Sequence, residues 1–288
     1  MLHVYEAYCL YLLDLGLGHY HMTVSFEFFP PNNGNFARVG DHLDKLLKFE
    51  PEFISITFGA GGSAENKSVE LIEELSSRSA TEIVAHLTLV DKTKDRIAQI
   101  TQQFRKLGIK TILAVRGDSP NQEYQSIEGG FQDTSEFVNH LKNQGFNVCV
   151  SAYAEPHPES PDIEFDFELL KRKVDAGATT AITQFCFELN KLEDLKNALA
   201  REKVAVDLIP GVMPVRNIDN LKRMADRCGI NIPKDIATRF EVSEDEQRKV
   251  AFDLAVEQVT TLKQVDFDSF HFYTLNQSSL MEDLLAAI

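Results

Sequence analysis

A chain of 288 residues, 43% of them hydrophobic, can bury one large core or two smaller ones. Its formal net charge of −15 excludes the broad basic face that nucleic acid or an anionic membrane surface would require, yet a local cluster of cations can still hold a small anion. No stretch approaches the roughly 20 apolar residues of a membrane helix, and Cys9, Cys149, Cys186 and Cys228 are too scattered for a zinc site or disulfide framework. Reduced thiols in a cytoplasm are the default that follows.

Residues 1–22 read as a loosely ordered N-terminal extension. They are mildly apolar, but Glu6 and Asp14 interrupt them and no basic leading segment marks a secretory signal. From Met22 onward short β-rich runs alternate with helical patterns. The predicted strands are Val24–Phe29, Phe53–Phe58, Ile83–Leu87, Thr111–Val115, Asn147–Ala152, Thr180–Phe185, Ala205–Ile209 and Ser269–Thr274. Most are near-continuous apolar runs, as parallel strands covered on both faces must be. Between them, Gly40–Lys48 places Leu43, Leu46 and Leu47 on one helical face, and Glu65–Ser77 does the same with Val69, Ile72 and Leu75. Lys94–Leu107 and Phe165–Ala176 each end before a glycine, Gly108 and Gly177. The long gap from Asn217 to Leu262 holds several helices.

Eight strands alternating with helices predict an α/β fold, a single-domain (βα)8 TIM barrel over residues 23–288, with a doubly wound sheet as the competing architecture. A barrel places its chemistry at the C-terminal ends of its strands. Those positions carry Glu27, Thr57, His86, Arg116 with Asp118, Tyr153 with His157, Gln184, Met213, and Tyr273 with Asn276. Polar groups at so many successive strand ends point to a working site.

Each motif also has a plainer reading. In Ser25-Phe-Glu-Phe-Phe-Pro-Pro31 the two-residue alternation turns Glu27 inward if Phe26 and Phe28 face the helices. Aromatic surroundings would raise its pKa and suit it to general-acid work, whereas a structural Glu would pair with an interior cation. Gly59-Ala-Gly-Gly-Ser-Ala64 formally matches a dinucleotide fingerprint, but the nearest acid, Glu82, precedes the next strand instead of ending it. A glycine-rich loop after the second strand is the better reading. Arg116-Gly-Asp118 fits a tight turn that sets a carboxylate at the barrel mouth. Lys171-Arg-Lys173 is a solvated basic face or, given nearby Tyr153, His157 and Asp166, a diphosphate clamp. His86 alone would pass for a satisfied core histidine.

Taken in order, these segments resemble the catalytic domain of methylenetetrahydrofolate reductases. The matching pieces are Ser25–Pro31, Ser55-Ile-Thr-Phe-Gly-Ala60, Ala85-His-Leu-Thr88, Ala114-Val-Arg-Gly-Asp118, Ala152-Tyr153, His157-Pro-Glu159, Leu170–Gly177, Ala181-Ile-Thr-Gln-Phe185, Ile209-Pro-Gly211 and His271-Phe-Tyr-Thr-Leu-Asn276. The resemblance implies noncovalent FAD and ping-pong reduction of 5,10-methylenetetrahydrofolate to 5-methyltetrahydrofolate by NADH or NADPH, feeding methionine synthesis in a cytoplasmic, commonly homo-oligomeric enzyme. It implies that Glu27 is the acid that opens the folate ring, that Asp118 lies between flavin and pterin, and that Gln184 touches both folate and nicotinamide. Thr57, Phe58, Ala60, His86, Arg116, Gly117, Asp118, Tyr153, His157, Asp166, Arg172 and Lys173 match the flavin-contacting positions, and Tyr273 joins Gln184 on the substrate side.

Two residues depart from the family pattern on that side. Ile218 replaces a phenylalanine common in bacterial relatives, and Gln277 replaces the usual arginine after Tyr-Thr-Leu-Asn. The resemblance includes no second domain of the kind that gives eukaryotic relatives their adenosylmethionine inhibition. The rival readings are another flavin-dependent barrel oxidoreductase, such as a proline-dehydrogenase-like enzyme, and a folate- or flavin-binding relative without turnover.

Overall fold

The computed structural model describes residues 22–58, 62–117, 124–215 and 217–288, with the backbone alone for 62–64. The predicted extension up to residue 21, and Ala60 and Asp118 among the predicted site residues, lie outside the described residues.

The strands are β1 (Thr23–Phe28), β2 (Phe53–Ile56), β3 (Glu82–Thr88), β4 (Thr111–Val115), β5 (Asn147–Ala152), β6 (Thr180–Thr183), β7 (Asp207–Ile209), β8 (Gly211–Val212) and β9 (Ser269–Tyr273). All pair in parallel, in the order β7-β6-β5-β4-β3-β2-β1-β9-β8. The two ends of that order are one stretch of chain. The run 207–212 is interrupted at Pro210, which has no N–H to give a ladder. Its β7 half pairs with β6 and its β8 half with β9, while the Pro210 carbonyl accepts the His271 N–H at 3.0 Å. The predicted seventh strand, Ala205–Ile209, is shortened to β7, and Gly211–Val212 adds a further short strand that was not predicted; together they bring the sheet almost to closure as a TIM barrel.

Helices follow the strands: α1 (Phe36–Leu46), α2 (Gly62–Arg78), α3 (Lys94–Lys106), α4 (Thr134–Asn143), α5 (Ile163–Asp175), α6 (Leu189–Arg201), α7 (Ile218–Cys228), α8 (Lys234–Arg239), α9 (Glu244–Gln264) and α10 (Ser279–Leu285). Several begin on a side-chain cap that satisfies an otherwise orphaned amide. Asp133 accepts from Glu136 N–H, Asp162 from Phe165 N–H, and Asn217 from the amides of Asp219 and Asn220. Helix α1 starts at Phe36, four residues before its apolar pattern, because Asn35 caps it there.

The main core lies between sheet and helices. Phe26, Phe28, Ile54, Ile56, Phe270 and Phe272 are fully buried in it, each such side chain contributing about 1.5–3 kcal/mol of burial free energy. Inside the barrel a smaller apolar plug of Phe53, Val84, Leu113, Cys149, Ile182 and Ile209 fills the axis. A third cluster joins Phe185, Phe187, Met213 and Val215 to α7, α8 and α9. No helix among the described residues is long and apolar enough to cross a membrane.

Candidate active site

Outward Phe26 and Phe28 fix the pleat of β1, so Glu27 points into the barrel, in register with Ser55 on β2 and Tyr273 on β9. About a fifth of its side chain is exposed (19%), and protein encloses the rest. Burial pushes its carboxyl up to about 8. His86 Nε2 lies 3.6 Å from Glu27 Oε2, and burial pushes that imidazole down to about 4. The two groups are therefore both neutral near pH 7 and form no ion pair there. His86 Nε2 is buried without a hydrogen-bond partner, and an imidazole lowered this far does not take the carboxyl's proton.

Beneath them sits a polar layer. His271 is held between Ser25 Oγ at 2.7 Å and Ser55 Oγ at 3.2 Å, stacked on Phe53. Burial, with a further contribution from His86, pushes its imidazole down to about 3. Tyr273 Oη donates to the Thr183 carbonyl at 2.7 Å, and burial raises its pKa well above the usual phenol range. Gln184 follows immediately, its backbone N–H bound to Ala152 O and its Oε1 accepting the Phe185 N–H.

Over the C-terminal ends of β2 to β5 opens a cleft of about 630 Å³, a size typical of cofactor sites. Thr57, Phe58, His86, Arg116, Gly117, Tyr153, His157, Asp166, Arg172 and Lys173 all line it. Every described residue of the predicted flavin set is thus brought to one wall system. Asp166, in the first turn of α5, accepts the His157 N–H at 2.8 Å and the Ser160 hydroxyl at 2.6 Å, which fixes the loop after β5 against the helix. The ring of Tyr153 meets His157 edge-on at 5.1 Å.

The cations of the cleft already have partners. Arg116 Nη2 pairs with Glu159 Oε1 at 2.9 Å, and Arg172 Nη1 with Asp133 Oδ2 at 3.0 Å. Lys173 Nζ donates to Ser151 O at 2.6 Å, and burial lowers its pKa to about 8. The basic run 171–173 is divided by the turn of the helix. Lys171 faces Glu168 and Glu202, away from the cleft.

Glu27, Gln184, Ile218, Tyr273 and Gln277 do not line this cleft. They stand on β1, after β6, at the start of α7, on β9 and in the turn after β9, the other half of the mouth. Ile218 packs partly buried against the third cluster, and Gln277 is exposed. Sequence reasoning missed Asp133, Glu159, Tyr124 and Phe165, which also line the cleft. Asp133 carried a usable signal, since it caps α4, and Glu159 stood in the matching piece His157-Pro-Glu159; Tyr124 and Phe165 carried none.

The cleft fits a dinucleotide in three respects. It gathers Arg116, Arg172, Lys173 and His157, the cations a diphosphate needs. It buries His86 Nε2 and Glu159 Oε2 without hydrogen-bond partners, and the carboxylate oxygen is an acceptor for a ligand's N–H or O–H, not for its phosphate. Gly117 (φ +86°) turns the chain where a Cβ would lie 2.7 Å from Val90. A second cavity, of about 550 Å³ at the opposite end of the barrel, is rimmed by Glu52, Glu82, Asp207, Asp266 and Asp268 with Lys196; those carboxylates oppose an anionic ligand.

Comparison with known proteins places the chain in a family. The family model for methylenetetrahydrofolate reductase matches residues 16–288. The 5,10-methylenetetrahydrofolate reductase of Pectobacterium carotovorum is 34% identical over 90% of this chain and 87% of its own. That of Escherichia coli K12 is 34% identical over 90% of this chain and 88% of its own. Among solved structures, a Clostridium thermocellum protein that binds two copies of 5-methyl-5,6,7,8-tetrahydrofolic acid superposes with a TM-score of 0.60 at 14% identity, covering 96% of each chain. That likeness is one of fold. By the family match and the identity across nine-tenths of its length, the chain belongs to the methylenetetrahydrofolate reductase family.

Proposed function

We propose that this chain reduces 5,10-methylenetetrahydrofolate to 5-methyltetrahydrofolate with electrons from NADH or NADPH, passed one ligand at a time through a noncovalently held FAD. The observation that carries the reading is an inward carboxyl, Glu27, kept protonated at neutral pH where the flavin-type cleft meets the open half of the mouth.

Arg172, Lys173 and His157 would hold the diphosphate, with Arg116 and Gly117 beside Thr57, His86 and Tyr153 around the ring system. When bound, FAD supplies the hydride chemistry, accepting from the nicotinamide and donating to the folate. The protein's own task is the proton. Glu27 gives it to the bridging nitrogen of the folate's five-membered ring, so that the bond from that nitrogen to the methylene carbon breaks and an iminium remains on the other nitrogen to receive hydride. A carboxyl whose pKa lies near 8 is still protonated under working conditions, which an ordinary glutamate would not be. His86, neutral and 3.6 Å away, leaves that proton on the acid. On the substrate side the proposal assigns Gln184 to both ligands and Asp118 to the gap between flavin and pterin, with Tyr273, Ile218 and Gln277 around the folate.

The test is the absorbance spectrum of the purified protein, followed by anaerobic NADH and then methylenetetrahydrofolate. Bound flavin should bleach with NADH and recover with the folate. Glu27→Gln should keep flavin and the NADH step and lose about 10²–10⁴-fold in the folate step. A colourless protein that FAD cannot reconstitute, or a Glu27→Gln variant with normal folate reduction, would overturn the proposal. The wild-type folate step should also slow as pH rises through about 8.

A further inference from the structure

Strand β1 must stop after Phe28, because Pro30 and Pro31 bring no amide to any ladder. Its last free backbone groups, the Glu27 carbonyl and the N–H and C=O of Phe29, lie beside β9, which has itself ended at Tyr273. They are nonetheless all satisfied, and by side chains. Thr274 Oγ1 donates to the Glu27 carbonyl at 2.6 Å. Asn276 Oδ1 accepts the Phe29 N–H at 3.0 Å while its Nδ2 donates to the Phe29 carbonyl at 2.7 Å. The carbonyl of Phe28, between them, is taken from the other side by Thr57 N–H at 3.1 Å.

The turn that delivers these side chains is strained. Leu275 and Asn276 are successive non-glycine residues at φ +52° and +54°, in the left-handed region that L residues adopt rarely and leucine least readily of the two. The turn is braced internally, since the Asn276 N–H donates to Thr274 Oγ1 at 3.1 Å and the Gln277 N–H to Thr274 O at 3.1 Å. Thr274 is 2% exposed. An ordinary strand end would relax into solvent; here local strain is retained at the one place that grips the acid's own peptide units.

We propose that Thr274 and Asn276 are positioning residues for Glu27: their clamp on its carbonyl and on the Phe29 peptide fixes where the carboxyl stands in the barrel mouth. The inference rests on the reading of Glu27 as the proton donor. It assigns a role to two side chains that touch neither the cleft nor the carboxyl itself. Loosening the clamp should lower the folate step without altering flavin binding, which belongs to the cleft, or reduction by NADH, which needs no proton from Glu27.

The pair Thr274→Val and Thr274→Ser separates hydrogen bonding from packing, because valine keeps the shape and serine keeps the hydroxyl. Asn276→Ala removes the second grip, and Asn276→Asp retains an acceptor for the Phe29 N–H should the alanine variant not fold. Flavin content and the NADH half-reaction should match the wild type at a temperature well below the thermal midpoint, which itself should fall because backbone groups lose their partners. The folate half-reaction at saturating folate should fall by on the order of 10- to 100-fold in Thr274→Val and Asn276→Ala, the scale of a small misplacement of a reacting group. Thr274→Ser should return to within about threefold, and the limb of the pH profile near 8 should shift in the impaired variants. A folate step unchanged in both Thr274→Val and Asn276→Ala, or a loss confined to KM, overturns the clamp. If Glu27→Gln keeps the folate step, the acid reading fails and the clamp with it; if Glu27→Gln is dead while the clamp variants are normal, the clamp alone fails.

Discussion

At Gly211 a single hydrogen decides whether the barrel closes. A Cβ there would fall 2.2 Å from the Thr183 carbonyl and 2.6 Å from Tyr273 Cε2, the two groups that the Tyr273 hydroxyl joins. Neither can retreat, since the Gly211 N–H is also bound to Thr183 Oγ1 at 2.9 Å. Gly211→Ala should therefore cost about 1–3 kcal/mol of stability, the usual range for overpacking. Urea unfolding measures it, and a midpoint equal to the wild type would refute the account. Other single residues were legible to different degrees. Glu27 could be read inward because a strand's period is two and its neighbours are phenylalanines. The run 171–173 could be read as basic, but its division came from helix geometry: one residue of α5 pairs with Glu168 and Glu202, the next with Asp133, the third with the Ser151 carbonyl. His271 showed only as part of a motif. Its role as the hub between Ser25 and Ser55 depends on two strands far away in sequence.

Elements were easiest to read where the pattern was local. The strand cores and the α3 and α5 patterns follow from apolar periodicity, and their ends from glycine. The short strand β8 was not readable, because two residues, Gly211 and Val212, become a strand only through pairing with β9 across the closure. Loops fared likewise: nothing local says that Asp166 reaches back to the loop after β5. Yet that contact sets the cleft wall, since Asp166 takes both the His157 amide and the Ser160 hydroxyl. Asp166→Ala leaves both donors without their charged acceptor, a loss of about 1.5–3 kcal/mol for each such bond. The loop then frees His157 from its place against Tyr153. On the proposed reading, FAD should bind at least about tenfold more weakly, each tenfold being about 1.4 kcal/mol, with the helix content unchanged. Flavin titration followed by fluorescence checks this, and undiminished affinity would show that α5 does not organise the wall.

At the scale of the whole molecule, alternation of strands and helices foretold the barrel, and polar strand ends foretold the mouth; its partition into a cleft over β2–β5 and an open half over β1, β6 and β9 depends on contacts between loops far apart in sequence. One consequence of filling an interior with titratable groups is global, because proton binding that differs between folded and unfolded chains changes stability with pH. Glu27, raised to about 8, contributes stability that is complete below its unfolded value and is lost as pH climbs through 8. His86 and His271, lowered to about 4 and 3, act oppositely: their contribution is complete above the ordinary histidine range and is lost as pH falls toward those values. From pH 4.5 to 6.5 two histidines oppose one glutamate, so these groups favour folding as pH rises; from 6.5 to 8 only Glu27 acts, and they favour it less. The slope per group cannot exceed about 1.4 kcal/mol per pH unit. Glu27→Gln removes the declining limb. Urea unfolding at pH 5, 6.5 and 8 should show the variant gaining on the wild type by more than about 1 kcal/mol across the series. A difference that stays constant with pH would mean that Glu27 ionises in the folded protein as it does in the unfolded chain, and would remove the physical basis for its proposed acid role.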